Sequence, residues 1–435
     1  MKDPRAQQLE HTVLAPLVKA GRGFYLVVAL LLAVIAWGGY AYSVQLRNGL
    51  AVTGMAETRD KIIWGFYIVN FVFFIGISHA GTLISAILRV SKAQWRLPVT
   101  RMAEFITVVA LSVGAIFPII DLGRPDRVVN LFLYGRWQSP VVWDMLSITT
   151  YITGSLIYLY LPLIPDLALC RDAIGQQVSP LKRAFYRILS IGWVGSPGQR
   201  LKLTRAIGMM MVLIIPVAVS VHTVVSWIFA MTLRTGWNST VFGAYFVAGA
   251  IFSGIATIII VMAILRKVYH LEQIITEKHF INLGYMMGGF TLIMMYFNLS
   301  EYVTAAFKME GSDEFFLLQL MVGQLAPFFW FYTIGGLVIP GLLILIPMTR
   351  NLRGIIVAAL LVNVAMWVER FFLVVGGLRV PLMPYTPATY IPTWVEWSVL
   401  AAAFALFALV ITLFSRLFPI VSVWELKEGD EEAKE

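Results

Sequence analysis

Residues 64–89 read WGFYIVNFVFFIGISHAGTLISAILR, and residues 241–266 read VFGAYFVAGAIFSGIATIIIVMAILR. Each is an apolar run closed by arginine, long enough to cross the hydrocarbon core of a bilayer as a helix. The two align without a gap at an offset of 177 residues (241 against 64) and share the ending Ala-Ile-Leu-Arg. The same offset pairs Arg101 with Lys278 and Asp121 with Asn298. A repeat four spans long keeps its orientation in the membrane. This predicts two four-helix bundles, spans 2–5 and 6–9, related by a parallel repeat and flanked by spans 1 and 10.

The rest of the chain supports that frame. Of its 435 residues, 59% are hydrophobic and 13% charged, against roughly 45–50% and 25% in soluble domains. Apolar runs fall at 24–44, 62–88, 102–120, 142–163 and 206–233, then at 241–265, 281–300, 315–346, 354–375 and 394–418. The fold class is therefore an all-α integral membrane protein of about ten spans. Its expected parts are an N-terminal segment 1–23, the first span 24–44, and a first bundle 62–233 with an inner loop 164–205. A second bundle 241–375, a last span 394–418 and a tail 419–435 follow.

Basic residues orient the bundle. With the N-terminus inside, 23 Lys and Arg lie on inner segments and 9 outside, Arg370 being left within a span; this is the positive-inside bias. Both termini are expected on the cytoplasmic side of a bacterial cytoplasmic membrane. The first run lacks a small-residue cleavage pattern and is expected to stay in the mature protein. The net charge of +9 follows from the same bias, so no nucleic-acid partner is expected. The acidic stretch Glu425–Glu435 reads as a solvated end.

Ionisable groups in lipid are expensive and usually retained for function. His79 lies within span 2 and His222 within span 5; Asp121 ends span 3, Asp144 begins span 4, Glu301 ends span 7, and Glu369 and Arg370 sit late in span 9. Asp121, Arg124, Asp144, Glu301, Glu369 and Glu396 all fall in the outer half. Each has a structural reading beside a functional one. Asp144 suits a helix N-cap, Asp121 and Arg124 an ion pair, and Glu104 an interfacial pair with Arg101. Glu369 and Arg370 point about 100° apart and so need different partners. The small neighbours of His79, namely Gly76, Ser78, Ala80 and Gly81, suit close helix packing as well as a ligand site.

At 1.5 Å per residue, His79 lies roughly 15 Å and His222 roughly 25 Å from the inner ends of their spans, heights that do not let both ligate one haem. The single cysteine, Cys170, cannot furnish an iron–sulfur cluster or a structural zinc site. No haem, cluster or metal site is expected in this chain.

Five motifs follow in order: Gly76-Ile-Ser-His-Ala-Gly-Thr-Leu-Ile-Ser85, Arg101-Met-Ala-Glu104, Phe117-Pro-Ile-Ile-Asp-Leu-Gly-Arg-Pro125, Ser139-Pro-Val-Val-Trp-Asp144, and Ile164-Pro-Asp166 with Arg171-Asp172. In these the chain resembles the polysulfide reductase membrane-subunit family over about residues 60–375, nearest to the large quinol-oxidising branch of alternative complex III. The resemblance implies a subunit that binds quinone (menaquinone or ubiquinone) near the outer face and oxidises the quinol. Electrons would pass to an iron–sulfur partner on the outer, periplasmic side. Other membrane subunits, one of them homologous, and lipid would surround it.

Carried over by motif, His79 and Asp121 match quinol-site or proton-path positions, and Arg124 and Asp144 lie in the same motifs. Phe73, Phe74, Trp143 and Tyr151 would surround the ring and tail. In the second bundle Ala256 stands where the repeat puts His79, and Asn298 where it puts Asp121. Only the first bundle is therefore expected to hold quinone. Glu301, Glu369, His222 and Asn298 are the candidates for a proton path. The residues alone also admit a secondary transporter or ion channel, with Pro216 and Pro327 as candidate helix breaks, and a membrane anchor without quinone chemistry.

Overall fold

A computed structural model describes residues 12–18, 20–56, 62–381, 387 and 389–426. Ten helices among them are long and apolar enough to cross a membrane: α1 Arg22–Asn48, α2 Phe66–Val90, α3 Leu97–Gly114, α4 Pro140–Ala173, α5 Pro197–Ala230, α6 Phe242–Val268, α7 Glu277–Lys308, α8 Ala326–Leu345, α9 Leu352–Arg379 and α10 Trp394–Leu417. Their number and order match the apolar runs.

Three boundaries differ. The run 315–346 divides into an outer helix, Gly311–Met321, and α8, with Gly323 and Pro327 at the junction. Pro327 sits in the first turn of α8, where a missing N–H removes no helical bond. Pro216 lies inside the continuous α5, so neither proline breaks a helix at mid-membrane. The inner loop expected at 164–205 shrinks to 174–196, because α4 and α5 run on past the apolar core and the short helix Pro180–Leu189 lies between them.

Helix α2 packs on α3 and α5, and α4 joins those two; α6 packs on α7 and α9, and α8 joins those two. Helices α2 and α6 meet each other at the centre. Glycine makes that meeting close. A Cβ on Gly254 would lie 2.1 Å from the Ala80 Cβ, and one on Gly81 would lie 2.1 Å from the Ala103 carbonyl oxygen of α3. Nearly all of α2 is consequently buried. Helix α1 buries only Gly38, Ala41 and Gln45 and packs chiefly on α10, where the Trp37 indole N–H donates to the Ser398 hydroxyl at 2.9 Å. The two terminal helices thus form a flanking pair.

Each end of the molecule is fastened by a buried carboxylate. At the outer end Glu396 accepts from the Gly54 N–H at 2.7 Å and the Thr393 N–H at 2.9 Å. It also accepts from the Tyr390 hydroxyl, which in turn accepts from the Phe66 N–H at 2.8 Å. At the inner end the segment after α10 folds back over α2–α4. Glu425 contacts Arg89 at 3.0 Å and Arg96 at 2.7 Å, and Arg101 pairs with Asp166 at 2.9 Å. The Trp424 N–H reaches Asp166 at 3.1 Å and its indole reaches the Pro162 carbonyl at 2.8 Å.

Two expectations are corrected here. Glu425 is 5% exposed and ion-paired rather than solvated; 427–435, the rest of that acidic stretch, lie outside the described residues. Burial pushes the Glu425 carboxyl up, but Arg89, Arg96 and Arg101 outweigh it and hold the group below its ordinary value. Glu104 pairs with Arg89 at 3.1 Å and accepts from the Ser85 hydroxyl at 2.6 Å, not with Arg101. One turn of helix carries their side chains to different neighbours, and the partner on α2 lies closer.

Candidate functional site

Midway along α2, at Ser78 and His79, the interior of the group α2–α5 is polar. The Ser78 carbonyl accepts from the Tyr151 hydroxyl of α4 at 3.0 Å and from the Thr107 hydroxyl of α3 at 2.8 Å. With α3 and α4 held at this level, the next residue, His79, faces α5, and its ring centroid lies 4.3 Å from that of His222. Both imidazoles are buried. Among the described residues no side chain bonds to either nitrogen of His79 or to Nδ1 of His222, and the backbone of Ala218 on α5 is the polar group beside the His79 ring.

The heights counted from span ends are therefore wrong, because α5 does not end level with α2. The rings touch at a 50° tilt, which leaves no slot between them for a porphyrin. Among the described residues no group of three or more His, Cys, Asp or Glu could hold a metal ion.

Asp121 closes the short helix Phe117–Asp121, partly exposed, with Oδ1 unpartnered; Tyr67 and Glu396 are its neighbours. Tyr67 is twelve residues outward of His79 on α2, or about 18 Å, so one small headgroup cannot touch both His79 and Asp121. Arg124 turns away from Asp121. It is 64% exposed and grips Asp126 through two hydrogen bonds of 3.0 and 2.8 Å; two residues along a turn is a shorter reach than back into the bundle. Asp144 is no N-cap, since it lies a turn inside α4, whose cap position is Ser139. It is 7% exposed with Oδ1 unpartnered. It stands seven residues outward of Tyr151, about 10 Å along the helix, between the levels of His79 and Asp121.

A second polar group begins beside His222. Arg370 lies near that ring, stacks over Phe246 at 4.5 Å and contacts Glu369 at 3.3 Å. Adjacent residues do share a contact here, because the long guanidinium arm bends back to the carboxylate. Glu369 accepts from the Tyr245 hydroxyl at 2.6 Å. The Asn298 amide donates to the Tyr332 hydroxyl at 2.8 Å, and the Ser239 hydroxyl donates to Glu301 at 2.5 Å. Tyr332 belongs to a π-helical stretch, Phe331–Val338, a form often found at functional sites. Glu301, Glu369 and Asn298 line one cavity of about 390 Å³ between α6, α7, α9 and the outer helix.

Sequence reasoning missed Tyr245, Tyr332 and the inner pair Ser85 and Tyr158, which lie 3.3 Å apart. Scoring hydroxyls as well as charges along the apolar runs would have exposed them.

The fold and these buried polar groups define a multi-pass membrane protein whose ionisable side chains face its own interior. Residues 54–381 match the family described as Polysulphide reductase, NrfD, and the chain belongs to that family. It is 27% identical to a protein of Halobacterium salinarum over 94% of this chain and 93% of that one; the name there is, with a provisional qualifier, that of a dimethyl sulfoxide reductase membrane subunit. It is 22% identical to the Hdr-like menaquinol oxidoreductase integral membrane subunit of Archaeoglobus fulgidus, covering 94% and 96% of the two chains. It is 23% identical to the menaquinone reductase integral membrane subunit of Nitratidesulfovibrio vulgaris, covering 91% and 92%.

Proposed function

We propose that this chain is the quinone-binding membrane subunit of a respiratory oxidoreductase, with its headgroup site inside α2–α5, between the middle of α2 and the Asp144 end of α4. The observation that carries the reading is the set of buried polar atoms there without a side-chain partner: the His79 imidazole, whose polar neighbour is the Ala218 backbone, Nδ1 of His222 and one oxygen of Asp144. Such atoms are rare and mark a missing partner. A ring with oxygens at opposite ends, hydrogen-bonded at each, spans on the order of 11 Å, which suits the separation in height between the His79 and Asp144 levels. Menaquinone is favoured by the names of the two relatives above, and its oxidised and reduced forms supply the two-electron, two-proton chemistry.

In this chain His79 and Asp144 hold the two oxygens and exchange their protons. His222, in ring contact with His79, moves a proton onward or holds the imidazole in place. Asp121, partly exposed beside Tyr67, connects the site to the outer surface. By this reading electrons pass from quinol to an iron–sulfur partner on the outer side, within a complex that includes other membrane subunits. Both termini face the cytoplasm by the basic-residue bias.

Asp144→Asn removes the ionisable group and keeps its shape. The purified complex is expected to assemble and to lose about a hundredfold in quinol oxidation. Undiminished turnover would remove Asp144 from the site and, with His79 equally silent, the site itself.

Proton translocation is coupled through the second polar group. His222, Arg370, Glu369 and Tyr245 form a buried succession that ends in the cavity with Glu301 and Asn298. Glu369→Gln is expected to lower the proton-to-electron ratio in vesicles while electron transfer continues; an unchanged ratio would leave the coupling without a route here.

A further inference from the structure

The 390 Å³ cavity at the outer end of the second four helices is of the size that holds small ligands. Its walls are planar rings: Phe242 of α6, Phe372 of α9, Phe316 of the outer helix and Tyr302 of α7. Two carboxyl–hydroxyl pairs project among them, Glu369 with Tyr245 at 2.6 Å and Glu301 with Ser239 at 2.5 Å. Glu369 is fully buried, and its Oε2 makes no hydrogen bond although Arg370 lies beside it. The mouth is formed by exposed Asn238, Thr240, Thr304 and Lys308. Lys308 is the last residue of α7, so the mouth lies at the end of that helix. Asn298, which lines the cavity, stands where the 177-residue offset puts Asp121 of the first group.

We infer that this cavity is a second quinone-class site, binding a hydroxylated or oxo-substituted aromatic headgroup that arrives from the bilayer. Stacking rings recognise the flat face, and the Glu301–Ser239 and Glu369–Tyr245 pairs offer donors and acceptors to ring oxygens at its rim. A hydrophilic solute would leave the rings Phe242, Phe297, Phe316 and Phe372 without an apolar partner; a saturated acyl chain would bring nothing to meet the polar rim. Ala256, which the offset pairs with His79, lies eleven residues beyond Tyr245 on α6, about 16 Å along the helix, so the cavity corresponds to the Asp121 level of the first group rather than to that of His79. The inference rests on the quinone reading of the first site and departs from the expectation that only the first group holds quinone.

The test is photolabelling of the purified complex with a short-chain azidoquinone, with and without excess unlabelled quinone, followed by peptide mapping. Competed labelling is expected in two regions, one in 66–90 or 140–173 and one in 297–308 or 369–373. Glu301→Gln is expected to weaken the second by roughly tenfold, the scale of one hydrogen bond to a charged group, while labelling of the first region persists. Labelling confined to the first region, or second-region labelling that excess quinone does not displace, overturns the second site and identifies the cavity as a water-filled vestibule. Labelling of neither region overturns the quinone reading as well. The wild-type map decides the matter even where a variant fails to fold.

Discussion

His79→Ala lowers quinol oxidation by two to four orders of magnitude, the range that a positioned acid–base group contributes, while the complex still assembles and is recovered whole. The imidazole is buried, has no side-chain hydrogen-bond partner among the described residues and is in contact with His222. Its packing role is small beside its chemical one, because Gly81 and Ala80, not His79, make the close contacts of α2 with α3 and α6. His79→Gln separates the two roles. It nearly fills the space and can donate a hydrogen bond, yet it cannot accept a proton, so its turnover should fall nearly as far as that of the alanine variant. If the glutamine variant turns over at the wild-type rate, His79 is a packing residue and the proton acceptor lies elsewhere. His222→Gln gives the complementary measurement. Loss of activity there with intact quinone labelling of the first region would place His222 on the proton side of the site.

Arg101→Ala has the largest expected effect on stability, about 3–5 kcal/mol. The guanidinium is 1% exposed, pairs with Asp166 at 2.9 Å and donates to the Pro162 carbonyl at 2.8 Å and to the Ser422 hydroxyl at 3.1 Å. Its removal leaves Asp166 as a buried carboxylate without its cation. Replacing both partners together, Arg101→Met with Asp166→Leu, removes the stranded charge and is expected to restore part of the loss; the Trp424 N–H, which bonds to Asp166, then has no acceptor and holds the recovery below completion. Thermal unfolding of the purified protein in detergent checks both. A single variant within about 0.5 kcal/mol of wild type would show that water reaches the inner end and solvates the pair.

The ten spans were legible because apolarity is a property of each segment alone, and an apolar run of about 20 residues has few other places to go. Partnerships between segments were not legible. The His79–His222 contact depends on where two helices end relative to each other, and counting from apolar boundaries put the rings about 10 Å apart in height. Glu104 had Arg101 three residues away in sequence and Arg89 in space. Arg124 lay in the same motif as Asp121, yet it found Asp126 two residues on. Of the candidate site residues, Asp144 gains weight through its burial and its unpartnered oxygen, while Arg124 loses it by facing away from the bundle.

The inner fastening also constrains the order in which the protein can be made. Ser422, Trp424 and Glu425 complete the hydrogen bonding of Arg101, Asp166, Arg89 and Arg96, yet they leave the ribosome more than 250 residues after Asp166 (422 against 166). Until then Arg101 has Asp166 and Arg89 has Glu104, but Arg96 lacks its carboxylate and Asp166 its Trp424 N–H. A chain truncated before residue 422 would carry all ten spans and leave those contacts unmade.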